Sequence, residues 1–509
     1  MLMKFDKYKY LFMLIILTII LYIYHLNFVG ISSDTTTMLP MAMDILNGNC
    51  TLRGWILGTN NFYFTDILFE TLLLKIGLSY ENIIYGLGSF DFALLITLLT
   101  YFEDKHLQNN ESTHKFLYLI PLAIIIFPVM VGGYTLLNLH SHISAYVVTV
   151  ICWILALKYL NTGLHRYVII YLIVAILGVF SDAILKMVLF APICLAMIIS
   201  ILLKKTIKYS TTVIFINIFA YGISNLILRA INKSNFYMHT IGLPVQVASH
   251  HLWGERFIGY VHELLKLYGC ITYTGSNFPS ALNNVLLSIF LCIVVLAIIY
   301  FVLNIKVNST SINILLLVAI INACACIITN VDVFNRYIVP FYIFTMPLVI
   351  KFCSIVLDKN GISDKLGNIF KVSCIVLAGI ILILRINIIP AGRYDAEAKA
   401  VASYLQSEHF SGGYGSYWES SLIWYYTGYS VPIYQVLIPK GAKQIEPFPF
   451  LVKNSWWNEK NKYFIILKDN TFIDKDTMVK ILGKPIKTKQ IGNYIIYSFD
   501  HDISKYIRH

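Results

Sequence analysis

Charged residues are scarce in this chain: only 13% of its 509 residues are Asp, Glu, Lys or Arg, whereas 58% are hydrophobic. Soluble globular domains carry about 25% charged residues. The mean hydropathy of +0.70 is also far above the range of such domains. The composition therefore excludes a soluble globular protein and predicts that most of the chain lies in lipid.

The features of nucleic-acid-binding and zinc proteins are also missing. The formal charge is +12, but Lys and Arg are scattered through short loops and do not form one basic face. The nine cysteines form no C-x-x-C pair, so no structural zinc site is predicted. We find no internal repeat and no low-complexity tract. A nucleic-acid partner is not expected.

Long apolar runs predict about eleven membrane-spanning helices. The first, residues 11–29, is too long for a signal-peptide core and is interpreted as an uncleaved span with a cytoplasmic N-terminus. The other runs are 83–101, 117–131, 143–160, 167–180, 184–203, 211–228, 284–304, 311–328, 337–353 and 369–389. Residues 62–78 are interrupted by charged side chains and are predicted to lie in the interface or to re-enter the membrane.

The predicted topology follows from the charges of the loops. If residues 11–29 run outward, Lys and Arg concentrate in the cytoplasmic loops, as the positive-inside rule requires. Residues 1–389 then form a transmembrane domain with outer loops 30–80 and 229–283. Residues 390–509 form a small extracytoplasmic α/β domain. The predicted fold class is an α-helical polytopic membrane protein. The frequent use of Ile, Asn and Lys is typical of an AT-rich genome and favours a bacterial cell membrane.

Shorter elements are predicted within the water-facing parts. Helical spacing of apolar residues predicts amphipathic helices at 35–46 and within 247–268. In the C-terminal domain, a helix is expected at 396–405. Strands separated by turn residues are expected at 412–417, 431–438, 462–467 and 493–499.

Acidic side chains in the outer segments are candidate catalytic groups. Asp34 follows the first span, where a base that accepts a proton from an incoming hydroxyl or amine would be needed; the alternative is that Asp34 caps the helix that follows. Asp66 and Glu70 share a helical face and are candidates for a second acidic group or a metal contact, or they form a polar face toward water. Asp182, at the outer end of a span, is a candidate for the same cavity, or a solvated helix end.

Basic side chains are scarcer on the predicted outer side, so those present are candidate phosphate ligands. Arg336 is the best placed, because it lies where a span begins on the outer side; snorkelling to ordinary headgroups is the alternative. Arg256 is a second candidate. His250 is one of several outer histidines from which a metal site could be built, although their spacing is not diagnostic. The aromatic residues Trp418 and Trp424 could stack on a sugar ring or pack their domain.

In layout, nearly the whole chain resembles the GT-C superfamily of integral membrane glycosyltransferases, which includes the protein O-mannosyltransferases and the aminoarabinose transferases of lipid A. The resemblance rests on Asp34 ahead of an interfacial helix, the Phe180-Ser181-Asp182 turn, the Arg336-Tyr337-x-x-Pro340 span start and a C-terminal outer domain. It implies a helical bundle and a polyprenyl-phosphate-linked sugar donor. Asp34 is then the catalytic candidate, and Arg336, with Tyr337 beside it, is the donor-phosphate candidate.

The sequence departs from the family pattern in one respect. Many members carry two adjacent acidic residues in the first outer loop, whereas Asp34 stands between Ser33 and Thr35. This departure leaves Asp66 as a competitor for the catalytic role.

We therefore expect a membrane glycosyltransferase that transfers a sugar from a polyprenyl-phosphate-linked donor to a glycan, lipid or protein acceptor at the extracytoplasmic face. The predicted partners are this donor, the acceptor and the lipid bilayer. No cofactor is assigned, and a divalent metal is left open. The alternatives are a polysaccharide polymerase or ligase, and a transporter or flippase of lipid-linked sugars, which would need functional groups at mid-membrane depth.

Overall fold

The computed structural model of the protein describes most of the chain. The described residues are 2–107, 140–205, 207–234, 237–241, 245–270, 278–331, 333, 335–359, 395–468 and 472–507, with a few positions between 372 and 383. The predicted span 117–131 lies outside them, as does most of the predicted span 369–389.

The described part of the chain is mostly helical. In chain order its helices are α1 (Leu2–Phe28), α2 (Ser33–Thr36), α3 (Met38–Leu46), α4 (Leu68–Lys75), α5 (Tyr80–His106), α6 (His140–Thr162), α7 (His165–Ser181), α8 (Ala191–Leu202), α9 (Ile207–Asn232), α10 (Trp253–Leu267), α11 (Phe278–Leu303), α12 (Thr310–Ile328), α13 (Asn335–Lys359), α14 (Ala396–Ser407), α15 (Tyr417–Tyr426) and α16 (Lys475–Leu482). Two π-helical turns, Tyr63–Ile67 and Lys186–Phe190, directly precede α4 and α8.

The strands are short and lie mostly in the C-terminal part of the chain. They are β1 (Trp55–Leu57), β2 (His239–Thr240), β3 (Gly413–Gly415), β4 (Ile433–Leu437), β5 (Glu446–Pro447), β6 (Val452–Lys453), β7 (Phe464–Leu467), β8 (Lys487–Ile491) and β9 (Tyr494–Ser498).

Seven of the described helices are long and apolar enough to cross a membrane, namely α1, α5, α6, α9, α11, α12 and α13. Helices α7 and α8 are apolar but shorter, and they coincide with the predicted spans 167–180 and 184–203. The membrane character predicted from the composition is therefore supported, while the total of about eleven spans stays a prediction.

The chain divides into two compact units. The helical unit consists of Met1–Leu26, Tyr85–Leu226 and Pro244–Ala391, and the mixed unit consists of Asn27–Ile84, Ile227–Leu243 and Gly392–His509. The segments that follow α1 and α9 in the sequence thus belong to the same unit as the C-terminal residues.

The mixed unit is built on two sheets. The larger has the strand order β5-β4-β3-β7-β9-β8, in which β3 is parallel to β4 and β7, and the remaining pairs are antiparallel. The smaller has the order β2-β1-β6 and joins three distant chain segments. Apolar side chains of the central strands, such as Val436 and Ile465, are fully buried and form the core of this unit with α16.

Most of the predicted water-facing elements are present. The predicted helix at 396–405 corresponds to α14, and the four predicted strands correspond to β3, β4, β7 and β9. The predicted helix at 35–46 is divided at Thr37 into α2 and α3. The amphipathic segment 247–268 contains α10. The elements that were not predicted are helices α15 and α16 and strands β1, β2, β5, β6 and β8.

Candidate functional site

Asp34 lies in the first turn of α2, in the mixed unit. Ser32, not Asp34, occupies the N-cap position of this helix, and the backbone N–H of Ser32 donates to Thr35 Oγ1 at 3.1 Å. The capping interpretation of Asp34 is therefore wrong. The Asp34 carboxylate is half-buried and makes its contact outside α2.

The hydroxyl group of Tyr417 holds the Asp34 carboxylate. It donates to Asp34 Oδ1 at 2.6 Å, a distance typical of a charge-assisted hydrogen bond. Tyr417 begins α15, which packs along α2. Two further bonds fix this packing: Ser33 Oγ donates to the Trp418 carbonyl, and the Tyr429 hydroxyl donates to the Thr36 carbonyl at 3.1 Å. The carboxylate is thus oriented by a side chain of the C-terminal segment.

Asp66 and Glu70 are fully buried in the same unit, with 0% of each side chain exposed. The interpretation that they form a polar face toward water is therefore wrong. Asp66 lies in the first π-helical turn, where Ile67 N–H donates to the Phe62 carbonyl five residues before it. Glu70 lies near Tyr429: burial raises the pKa of the Tyr429 phenol, and the charge of Glu70 raises it further. Tyr429 also donates to the Thr36 carbonyl of α2. Tyr429 therefore lies between Glu70 and the helix that carries Asp34.

Asp395 is another carboxylate of the mixed unit. It was not selected as a candidate from the sequence. It is buried, and its Oδ2 accepts a hydrogen bond from the backbone N–H of Ile31 at 2.8 Å and another from the Tyr426 hydroxyl. It thereby ties the segment before α2 to α15. The one feature of the sequence that could have drawn attention to Asp395 is its position directly before the predicted helix at 396. This position indicates a helix cap more readily than a tertiary contact.

A separate polar cluster lies in the helical unit at the start of α6. Asp182 is fully buried, and its Oδ2 lies 2.7 Å from His142 Nδ1. Its Oδ1 accepts a hydrogen bond from the Ile184 N–H at 2.9 Å. The interpretation of Asp182 as a solvated helix end is therefore wrong. His142 was one of many outer histidines in the sequence, and no spacing distinguished it.

The predicted basic ligands have different surroundings. The guanidinium group of Arg256, on α10, donates to the backbone carbonyls of Cys326 and Val331. These bonds join α10 to the last turns of α12 and to the chain that follows it. The Tyr337 carbonyl accepts from Asn322 Nδ2 at 2.7 Å, which joins the first turn of α13 to α12. Arg336 precedes it in α13, but its side chain lies outside the described residues.

His250 is exposed, in a short 3₁₀ turn before α10. No group of three His, Cys, Asp or Glu side chains that could hold a metal ion occurs among the residues described. His250 therefore belongs to no such group among these residues.

The two predicted sugar-stacking residues differ in their exposure. Trp424 packs edge-on against Tyr434 and Trp456, with ring centroids 5.7 and 5.1 Å away, so it belongs to an aromatic cluster of the mixed unit. Trp418 is 38% exposed and follows Tyr417 directly. Of the two, Trp418 is therefore the one placed to contact a ligand beside Asp34.

The chain matches no known family model and no curated protein sequence. The resemblance to the GT-C superfamily thus stays a prediction, and the functional argument depends on the arrangement of the side chains.

Proposed function

We propose that the protein is a membrane glycosyltransferase that transfers a sugar from a polyprenyl-phosphate-linked donor to an acceptor at the extracytoplasmic face. The observation that carries this proposal is the Asp34 carboxylate, which is half-buried and oriented by Tyr417 at 2.6 Å. It lies in a unit that contains a folded sheet domain, and the described part of the chain includes seven helices capable of crossing a membrane. This combination suits a base that works on a lipid-linked substrate near the membrane surface.

The proposed reaction uses Asp34 as the general base. The acceptor hydroxyl or amine attacks the anomeric carbon, and its proton passes to a carboxylate oxygen of Asp34. The bond between the anomeric carbon and the phosphate oxygen breaks, and the lipid phosphate leaves with the electron pair. Because attack and departure occur on opposite faces of the sugar, the anomeric configuration is inverted. The lipid phosphate is a stable anion, so its departure does not require a general acid.

The other candidate residues have supporting roles in this proposal. Arg336 is the candidate ligand of the donor phosphate, because a guanidinium group at the start of a span reaches headgroup level. Asp66 is less suited than Asp34 to act as the base, since its side chain is fully buried. Asp66 and Glu70 lie in the segment that packs against α3.

The proposed location follows from the charges of the loops. A cytoplasmic N-terminus and an odd number of spans put the mixed unit outside the cytoplasm. Nucleotide sugars are normally absent there, which favours a lipid-linked donor. This location would also suit a polymerase or ligase of lipid-linked saccharides, whose main outer loop usually lies between spans and not at the C-terminus.

The proposal is tested by sugar release from radiolabelled polyprenyl-phosphate sugars by the purified protein in lipid nanodiscs. We expect release by the wild type and a loss of at least about 100-fold in Asp34→Asn, since a positioned general base contributes about 10² to 10⁴ in rate. Asp476→Asn is the matched control, because Asp476 is an exposed carboxylate on α16 of the same unit.

The outcomes distinguish the candidate functions. Equal release by wild type and Asp34→Asn would exclude Asp34 as the base. Absence of release from every donor, together with movement of the labelled lipid between vesicle leaflets, would favour the flippase over the transferase.

A further inference from the structure

The polar cluster at the start of α6 has no role in the proton transfer described above. It consists of His142, Tyr146 and Asp182, which all belong to the helical unit. His142 and Tyr146 are four residues apart on α6, so they lie on one face of the helix. Tyr146 is close enough to Asp182 for the two groups to interact electrostatically. The three side chains therefore form one cluster at one end of a helix.

Close packing of α6 against α7 builds this cluster. At Gly178 on α7, an added Cβ atom would lie only 2.8 Å from Val148 Cγ1 on α6. This approach, which a larger residue would prevent, brings the end of α7 against the first turns of α6. The chain leaves α7 at Asp182 in an extended conformation and then enters the second π-helical turn. Such turns are rare and often occur at functional sites.

The hydroxyl group of Tyr146 is a buried polar group without a hydrogen-bond partner among the described residues. Its side chain is 0% exposed. Leaving a buried hydroxyl unsatisfied costs about 1 to 3 kcal/mol, and unsatisfied groups of this kind are rare in folded proteins. The position of this group beside a His–Asp pair indicates that a polar ligand completes the cluster.

The chemistry of the cluster favours an anionic ligand. The Asp182 carboxylate lies 2.7 Å from His142 Nδ1 and fixes the orientation of the imidazole ring. Its other oxygen accepts a hydrogen bond from the Ile184 N–H. An imidazole that carries a proton on Nε2 and the Tyr146 phenol present two donors from one helix face, which suits a phosphate oxygen.

The position along α6 agrees with a membrane phosphate. His142 lies in the first turn of α6 (His140–Thr162), directly before the apolar run 143–160 that the sequence predicts as a span. The end of a span lies at the level of lipid headgroups, which is where the phosphate of a membrane lipid is found.

We infer that His142, oriented by Asp182, and Tyr146 form a binding site for the phosphate group of a membrane-embedded lipid. The identification of that lipid as the polyprenyl phosphate of the sugar donor rests on the proposed function. In this role His142 and Tyr146 donate hydrogen bonds to phosphate oxygens, and Asp182 acts as a positioning residue that does not touch the ligand.

The experiment measures binding of decaprenyl phosphate to the purified full chain in phosphatidylcholine nanodiscs, with decaprenol, phosphatidic acid and inorganic phosphate as comparison probes. We expect His142→Gln to weaken binding of decaprenyl phosphate by about tenfold or more, since hydrogen bonds to charged groups are worth more than neutral ones. Asp182→Asn should weaken it similarly, and Tyr146→Phe by about threefold to tenfold. Binding of decaprenol should not change.

The matched control is His262→Gln, which changes an exposed histidine on α10 and should leave binding unaltered. Weakening confined to decaprenyl phosphate would assign the site to the donor lipid, whereas equal weakening for phosphatidic acid would assign it to bilayer headgroups. Both results support a lipid phosphate site. Unchanged binding in His142→Gln, an equal loss for decaprenol, or equally tight binding of inorganic phosphate would overturn the inference.

The result is also separable from the transfer reaction. Asp34→Asn should bind decaprenyl phosphate as the wild type does. If the wild type releases no sugar while its phosphate binding still depends on His142, the phosphate site stands and only the proposed transfer is rejected.

Discussion

Tyr417 and Asp34 are 383 positions apart in the sequence, and their side chains are joined by a hydrogen bond of 2.6 Å. If Asp34 is the general base, this bond holds the carboxylate in the orientation that proton transfer requires. We expect Tyr417→Phe to reduce kcat for sugar transfer by about tenfold, with little change in KM.

The matched control is Tyr414→Phe, which removes another hydroxyl from the same segment. The Tyr414 hydroxyl is buried and has no hydrogen-bond partner among the described residues, so its loss should leave kcat unchanged. A parallel loss of kcat in both variants would indicate that Tyr417 supports only the fold.

At the residue scale, the sequence identified the acidic candidates but not their surroundings. Asp34 could be found because its position after the first span suits a base. Its partner Tyr417 could not, since nothing local links residues so far apart. The burial of Asp66 and Glu70 was equally hidden, because helical spacing shows that two residues share a face but not what covers that face.

Strands β1 and β6 are antiparallel. An ion pair between β6 and α3 holds this pair of strands against the helix. Lys453 Nζ on β6 lies 2.8 Å from Asp44 Oδ1 on α3, and Trp55 Nε1 on β1 donates to Asp44 Oδ2 at 2.7 Å. Burial alone would raise the pKa of Asp44, but the hydrogen bonds from Lys453, Trp55 and Asn49 outweigh it and lower the pKa below its ordinary value. The ionised form is therefore stabilised in the folded state.

We expect Lys453→Met to destabilise the mixed unit by roughly 1 kcal/mol, a value between those of exposed and fully buried ion pairs. Thermal unfolding in detergent should show a Tm lower by about 2 °C. Because the folded-state pKa of Asp44 is lowered, the stabilisation is present at neutral pH and is lost as the pH falls through that pKa. The difference between wild type and variant should therefore shrink at pH 3.

The control for this ion pair is Lys487→Met. Lys487 pairs with Glu408 at 2.8 Å, but the two side chains are 48% and 37% exposed, so solvent screens the pair. An equal loss of stability in the two variants would show that the loss comes from removing a lysine and not from the half-buried contact.

At the element scale, the predicted helices and strands were those with a clear pattern. Helix α15 has no clear pattern of apolar and polar residues, because residues on all of its sides are buried, among them Glu419, Ser420 and Ile423. Strand β8 reads Lys-Thr-Lys-Gln-Ile and is largely exposed at the edge of its sheet, so it shows no alternation of apolar and polar residues. The π-helical turns have no pattern in a single sequence that predicts them.

The whole chain is predicted to cross the membrane an odd number of times, which puts its two ends on opposite sides. We expect alkaline phosphatase fused after residue 509 to be active in cells, and a green fluorescent protein at the same position to be dark. Fusions after residue 205, next to the predicted cytoplasmic residues Lys204 and Lys205, should give the opposite pair of results. A fluorescent C-terminal fusion without phosphatase activity would require an even number of spans.

The smaller sheet of the mixed unit constrains the order in which the protein is made. Strand β1 pairs with β2 and β6, so it emerges from the ribosome about 400 residues before its last partner. At ~5–20 residues per second, this delay is on the order of 20 to 80 s. During that time residues 55–57 present unpaired backbone groups to the surroundings. The edge of β1 that pairs with β6 therefore stays without its partner until synthesis is nearly complete.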